Sequence, residues 1–124
     1  GEESAELTIT RSAVDLLSGN VQAAERTVRD LQQTEEPARI EGTVNGVGYL
    51  LMQAELPRRA LEVFELNTRV FPDAFNTWDS LGEAFMELGQ DEESIAAYER
   101  SLALNPENEN ATAMIERIRE GSTQ

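Results

Sequence analysis

The two residue types with the widest chemical repertoire are missing: the 124-residue sequence has no cysteine and no histidine. That excludes Ser–His and Cys–His nucleophilic catalysis, disulfides, zinc-finger sites and histidine-ligated haem within this chain. Lysine is absent too. The ten basic residues are all arginine, against 24 acids, leaving a formal net charge of −14. So acidic a chain argues against binding nucleic acid or an anionic membrane. The missing lysine has two readings, a halophilic source or drift toward arginine codons in a GC-rich genome, and both stay open. No apolar run approaches membrane-spanning length, and no cationic-then-apolar secretion signal is present. Gly46-Val47-Gly48 is too short for a phosphate-binding loop and falls inside a predicted helix. Carboxylates abound, yet no two are marked as the buried, unequal pair that general acid–base work needs. No cofactor, no metal and no catalysis are expected. Residue 1 is Gly rather than Met, so a piece of a longer protein is expected, without a targeting signal to assign its compartment.

What is present is helical punctuation. Trp78, Leu81, Phe85 and Leu88 fall at spacings of three and four and predict a helix over 76–88. Gly89-Gln90 stops it. Asp91, Glu92 and Glu93 then stand where a second helix begins, against the positive end of its dipole. That helix carries Ile95, Tyr98, Leu102 and Leu104. It ends at Asn105-Pro106, because Pro106 cannot continue the hydrogen-bond ladder.

The pattern recurs at a fixed interval. Gly48 lies 34 residues before Gly82, Phe64 before Tyr98, Leu61 before Ile95, Pro72 before Pro106, Val47 before Leu81 and Leu51 before Phe85. Six matches in one register mean a structural repeat. With Trp78, Leu81-Gly82, Phe85, Tyr98 and Pro106, this period resembles the tetratricopeptide repeat. The resemblance covers residues 41–120 well and 5–40 loosely. It implies an all-α, right-handed array in a single domain: a degenerate repeat over 5–40, repeats over 41–74 and 75–108, and a capping helix over 109–120.

In chain order, Gly1 to Ala5 is expected to fray. Leu7 to Leu17 is the first predicted helix, with Leu7, Val14 and Leu17 on its apolar side and Ile9 and Leu16 off that stripe, exposed at an end of the module. Ser18-Gly19-Asn20 turns the chain into a helix over 21–33 that carries Val21, Ala24, Val28 and Leu31. Gln33 to Pro37 is a loop, longer than its counterpart by about two residues. A helix over 43–54 follows, in which Gly48 takes the repeat's small-residue site and Gly46 has no assigned role. Leu56-Pro57 turns the chain, with Pro57 in the first turn of a helix reaching Val70. Asn108 is expected to cap a last helix with Ala111, Met114, Ile115 and Ile118 on its inner side, and Gly121 to Gln124 is a tail. Asn67, Ser94 and Ser101 depart from the family's Ala, and Glu55 from its turn Gly.

The family resemblance implies a binding groove lined by the first helices of successive repeats. The groove-facing residues would be Asn45, Tyr49, Met52 and Gln53 from one repeat and Asn76, Asp79, Glu83, Met86 and Glu87 from the next, with Arg117 contributed by the last helix. Asp79, Glu83 and Glu87 recur every fourth residue and so share one helical face. Such a groove implies a protein or peptide partner bearing Arg or Lys, supplied by another protein or by another domain of the same parent chain. The subtype that holds chaperone C-termini uses Lys, Arg and Asn around a carboxylate, and this chain has no Lys. Trp78, Phe64, Phe85 and Tyr98 are read as packing residues.

A narrower resemblance rests on Val63-Phe64-Glu65-Leu66-Asn67, Phe71-Pro72-Asp73, Asn76, Asp79-Ser80-Leu81-Gly82-Glu83-Ala84 and Tyr98-Glu99-Arg100-Ser101-Leu102. These strings are similar to the C-terminal repeat segment of bacterial β-lactamase-like serine hydrolases and esterases. It implies a soluble bacterial accessory domain, with catalysis in a separate upstream domain from which no residue carries over.

Overall fold

The computed structural model describes residues 2–122, with side chains from 7 to 121. Seven α-helices follow one another: α1 Glu2–Leu17, α2 Val21–Gln32, α3 Pro37–Gln53, α4 Pro57–Val70, α5 Phe75–Glu87, α6 Asp91–Leu104 and α7 Glu109–Ser122. No strand occurs among the described residues.

The turns follow from local chemistry. Gly19 and Gly89 hold φ of +87° and +73°, the left-handed region that a side chain disfavours. At the corresponding place in the middle turn Glu55 adopts the same region, with φ of 61°. Pro37 and Pro57 occupy the first turns of α3 and α4, where a missing N–H costs nothing. The Asp91, Glu92 and Glu93 carboxylates open α6. Asn108 accepts from the Ala111 N–H at 3.4 Å as the side-chain cap of α7.

α1 packs on α2, α3 on α4 and α5 on α6, while α1, α3 and α5 also touch in succession. Gly48 faces Phe64 and Gly82 faces Tyr98. Each couple is symmetric about its turn, so the paired helices run antiparallel. A Cβ on Gly48 would lie 2.2 Å from the Phe64 ring, and one on Gly82 2.9 Å from Tyr98. Both rings are 1% exposed, so the glycines exist to let these rings in.

Small polar residues share that seam. Ser94 donates to the Gly82 carbonyl at 2.7 Å, Ser101 to Phe75 at 2.8 Å and Asn67 to Glu41 at 3.0 Å. The departures from alanine at these sites therefore pin the second helix of a pair to the first. One continuous apolar core runs from Leu16 to Ala97. A second, around Tyr98, Ala111, Ile115 and Ile118, seats α7 on α6.

Three boundaries differ from the sequence reading by more than one residue, and one helix face is reversed. α1 begins at Glu2 rather than Leu7, and α3 at Pro37 rather than Thr43. The tail is shorter than expected, since Gly121 and Ser122 still belong to α7; Gly1, Thr123 and Gln124 lie outside the described residues. The inner face of α1 is the opposite of the expected one: Leu16 is buried and Ile9 packs on the core, while Leu7, Val14 and Leu17 are exposed. Ser12 explains the inversion. It is buried, satisfied by donating to the Ile9 carbonyl at 2.7 Å, so a polar residue interrupts the true inner stripe.

Candidate functional site

A pocket of about 560 Å³ opens where the last turn of α3 meets α5. Tyr49, Met52 and Gln53 come to it from α3, Glu83 and Glu87 from α5, and Glu55 and Pro57 from the turn into α4. The spacing of Tyr49 from Gln53, and of Glu83 from Glu87, is one helical turn, which puts each couple on one face.

Tyr49 is the fixed point. Its ring stands edge-on to Phe64, with centroids 5.2 Å apart and planes at 64°. Its hydroxyl lies 3.3 Å from the Ser80 hydroxyl, whose one proton goes to Asn45 Oδ1 at 2.6 Å. Burial pushes the Tyr49 phenol well above its ordinary 10.0, and the hydrogen bond to the Glu83 carboxylate pushes it further. The proton therefore stays on Tyr49, and Glu83 is held as its acceptor.

Of the nine residues expected to face a groove, Tyr49, Met52, Gln53, Glu83 and Glu87 converge on this pocket. Asn45 lies behind it in the Ser80 network. The other three are engaged elsewhere. Asn76 donates to Glu41 Oε1 at 3.4 Å. Met86 packs on the α6–α7 core. Asp79 accepts from Asn108 at 2.7 Å and Asn110 at 2.9 Å, so it ties α5 to α7. Arg117 is exposed on α7 and does not line the pocket. Glu55 and Pro57 went unassigned because they belong to a turn. The one available signal was Glu55 at the place where the other turns carry Gly.

Among the described residues no three acids approach closely enough to hold a metal ion. Nor, among the described residues, is any helix long and apolar enough to cross a membrane.

Known proteins agree with this architecture. Residues 75–108 match the model of the tetratricopeptide repeat. No curated protein sequence matches the chain. Among solved structures, the first tetratricopeptide domain of human RPAP3 is 17% identical with a TM-score of 0.67, over 99% of this chain and 95% of that one. The first tetratricopeptide domain of Spaghetti (RPAP3), bound to the HSP90 peptide SRMEEVD, also scores 0.67, at 17% identity, over 100% of this chain and 97% of that one. The Yersinia enterocolitica type III secretion chaperone SycD, in complex with a peptide of the translocator YopD, is 12% identical with a TM-score of 0.65, over 98% and 97%. At such identities the likeness establishes the fold, a tetratricopeptide-type helical array.

Proposed function

We propose that the chain is a protein-interaction module, without catalysis of its own, that holds an extended or helical segment bearing Arg or Lys across α3 and α5. One observation carries this reading: half-buried Tyr49 and Met52 share a pocket with the carboxylates of Glu55, Glu83 and Glu87, and no base lines it. Apolar area suits the stems of basic side chains, and the carboxylates suit their heads. Arrays of the same fold that hold peptides, RPAP3 and SycD, support the mode of binding. The segment SRMEEVD held by Spaghetti (RPAP3) carries one Arg against three acids, and a segment of such net negative charge would be repelled here.

The test is a peptide array probed with wild type and with Glu83→Arg/Glu87→Arg, using circular dichroism as the folding control. Wild type should retain basic peptides and release them as salt rises. The double variant should fold and lose them. Equal capture by both proteins would overturn the reading.

A second reading is favoured by the exposed Leu7, Val14 and Leu17 on α1. It makes the array an accessory domain packed on another domain of its parent, such as a β-lactamase-like serine hydrolase or esterase. A Ser-x-x-Lys or Gly-x-Ser-x-Gly motif elsewhere in the same polypeptide supports it. Protection of α1 amides from exchange when such a domain is present, but not in these 124 residues alone, is the matching measurement.

A further inference from the structure

The pocket between α3 and α5 is more particular than an acidic surface. Its apolar part is Tyr49, Met52 and Pro57, and the Glu55, Glu83 and Glu87 carboxylates come from two sides, the α3–α4 turn and α5. Glu87 ends α5 with Glu83 one turn before it, Gln53 ends α3, and neither helix carries a base in its last turn. Terminal carbonyls therefore add their partial negative charge to that of the carboxylates.

The chain itself shows how such an end is neutralised. At the end of α1 the Arg59 guanidinium donates to the Leu17 carbonyl and lies against Gly19. Arg59 stands four residues after Glu55, the left-handed residue of its turn; four residues after Gly89, the left-handed residue of the next turn, stands Glu93. One repeat on, then, the guanidinium is replaced by a carboxylate, and the turn glycine beneath it by Glu55.

We propose that this pocket receives a single arginine side chain of a partner segment, in preference to lysine, a refinement that rests on the peptide-binding reading above. A guanidinium carries five N–H donors in one plane and can bind more than one carboxylate at once, whereas an ammonium is a compact, strongly hydrated point charge. Its weakly hydrated faces suit Tyr49, and its methylene stem suits Met52 and Pro57. Within the chain arginine already meets both a carboxylate and an aromatic ring. Arg29 and Arg69 take separate oxygens of Glu25, at 2.9 and 2.7 Å, and Arg100 lies 5.7 Å from the Trp78 ring centre.

The experiment is a titration of the full chain, followed by amide NMR, with three blocked tripeptides: Ala-Arg-Ala, Ala-Lys-Ala and Ala-citrulline-Ala. The arginine peptide should shift the amides of Tyr49, Gln53, Glu83 and Glu87 and saturate at several-fold lower concentration than the lysine peptide. The citrulline peptide, uncharged, should leave those amides unmoved. Glu55→Gly, which relieves the left-handed glutamate and so keeps the fold, should weaken the arginine peptide several-fold. Equal affinities for arginine and lysine at these amides would overturn arginine selection and leave the basic-segment reading standing. Shifts that avoid the pocket for both peptides would overturn the two together.

Discussion

Asn67 and Ser101 hold the same place 34 residues apart. Asn67 donates to the Glu41 carbonyl at 3.0 Å, Ser101 to the Phe75 carbonyl at 2.8 Å, and those two carbonyls are likewise 34 residues apart. The backbone seam is thus repeated with a different donor. Ser101 also accepts from Asn108 at 3.0 Å, so its hydroxyl joins α5, α6 and the cap of α7. Ser101→Ala should cost about 1 kcal/mol for the lost bond, and more for Asn108. Urea denaturation should show the midpoint fall; an unchanged midpoint would mean that the hydroxyl holds nothing.

The glycines of α3 divide by what surrounds them. Gly48→Ala drives a methyl into the Phe64 ring, 2.2 Å away, and should destabilise by about 1–3 kcal/mol despite its helix propensity. Gly82→Leu should cost at least as much against Tyr98. Gly46 is exposed with nothing within 4 Å, and Gly46→Ala should stabilise by about 1 kcal/mol. Opposite signs for Gly46→Ala and Gly48→Ala in thermal melts are the expected outcome, and like signs would place the helix in another register.

Glu55→Gly should raise stability by about 1 kcal/mol, since a left-handed backbone costs a side-chain-bearing residue roughly 1–2 kcal/mol. A fall in the melting temperature would show that the glutamate side chain holds the turn.

The seven helices and most of their ends were legible because their signals are local. Asn105-Pro106 stops α6 by its own covalent geometry, and Gly89 turns the chain by its lack of a Cβ. The 34-residue interval made Gly48 and Gly82 interpretable before either ring was located. The inner face of α1 was not legible. Buried Ser12 and exposed Leu7 reverse the usual sorting, and only the position of α3 decides between the two stripes. In the pocket, Tyr49 and Met52 follow from helical spacing. The loss of Asp79 to Asn108 and Asn110 does not follow from it, because i, i+4 spacing says which acids share a face and nothing about which neighbours claim them. Glu55 reaches the pocket only because the turn folds back.

Stability should fall at both ends of the pH scale. Glu25 is held below its ordinary 4.5, first by the hydrogen bond from Arg69, with burial opposing and Arg29 reinforcing. Its folded form binds the proton less tightly, so this stabilisation is complete above 4.5 and is lost as pH falls through the folded value. Tyr49 and Tyr98 are pushed up, foremost by burial, so their contribution is complete below 10.0 and is lost as pH rises beyond it toward the folded values. Glu25→Gln should flatten the acid limb of a melting-temperature profile and leave the alkaline limb alone.

Added salt should raise the melting temperature. At a net charge of −14 the folded surface repels itself, and ions screen charges separated by more than about 8–10 Å. A flat profile from low to molar salt would count against this and against a halophilic source. Salt should have the opposite effect on capture of basic peptides, so the two measurements separate stability from binding.

The grip between paired helices is uneven along the array. In the second and third pairs an aromatic ring is seated over a glycine, Phe64 on Gly48 and Tyr98 on Gly82. In the first pair the corresponding place on α2 is held by Val28, and Ser12 takes the glycine's place. Since stability in such a stack is set by neighbours alone, tension applied across the ends should not break the molecule in one event. Drawn out in an optical trap, it should yield in steps, with α1 and α2 peeling away at the lowest force. The pairs that carry the pocket would still be folded and able to hold a bound segment.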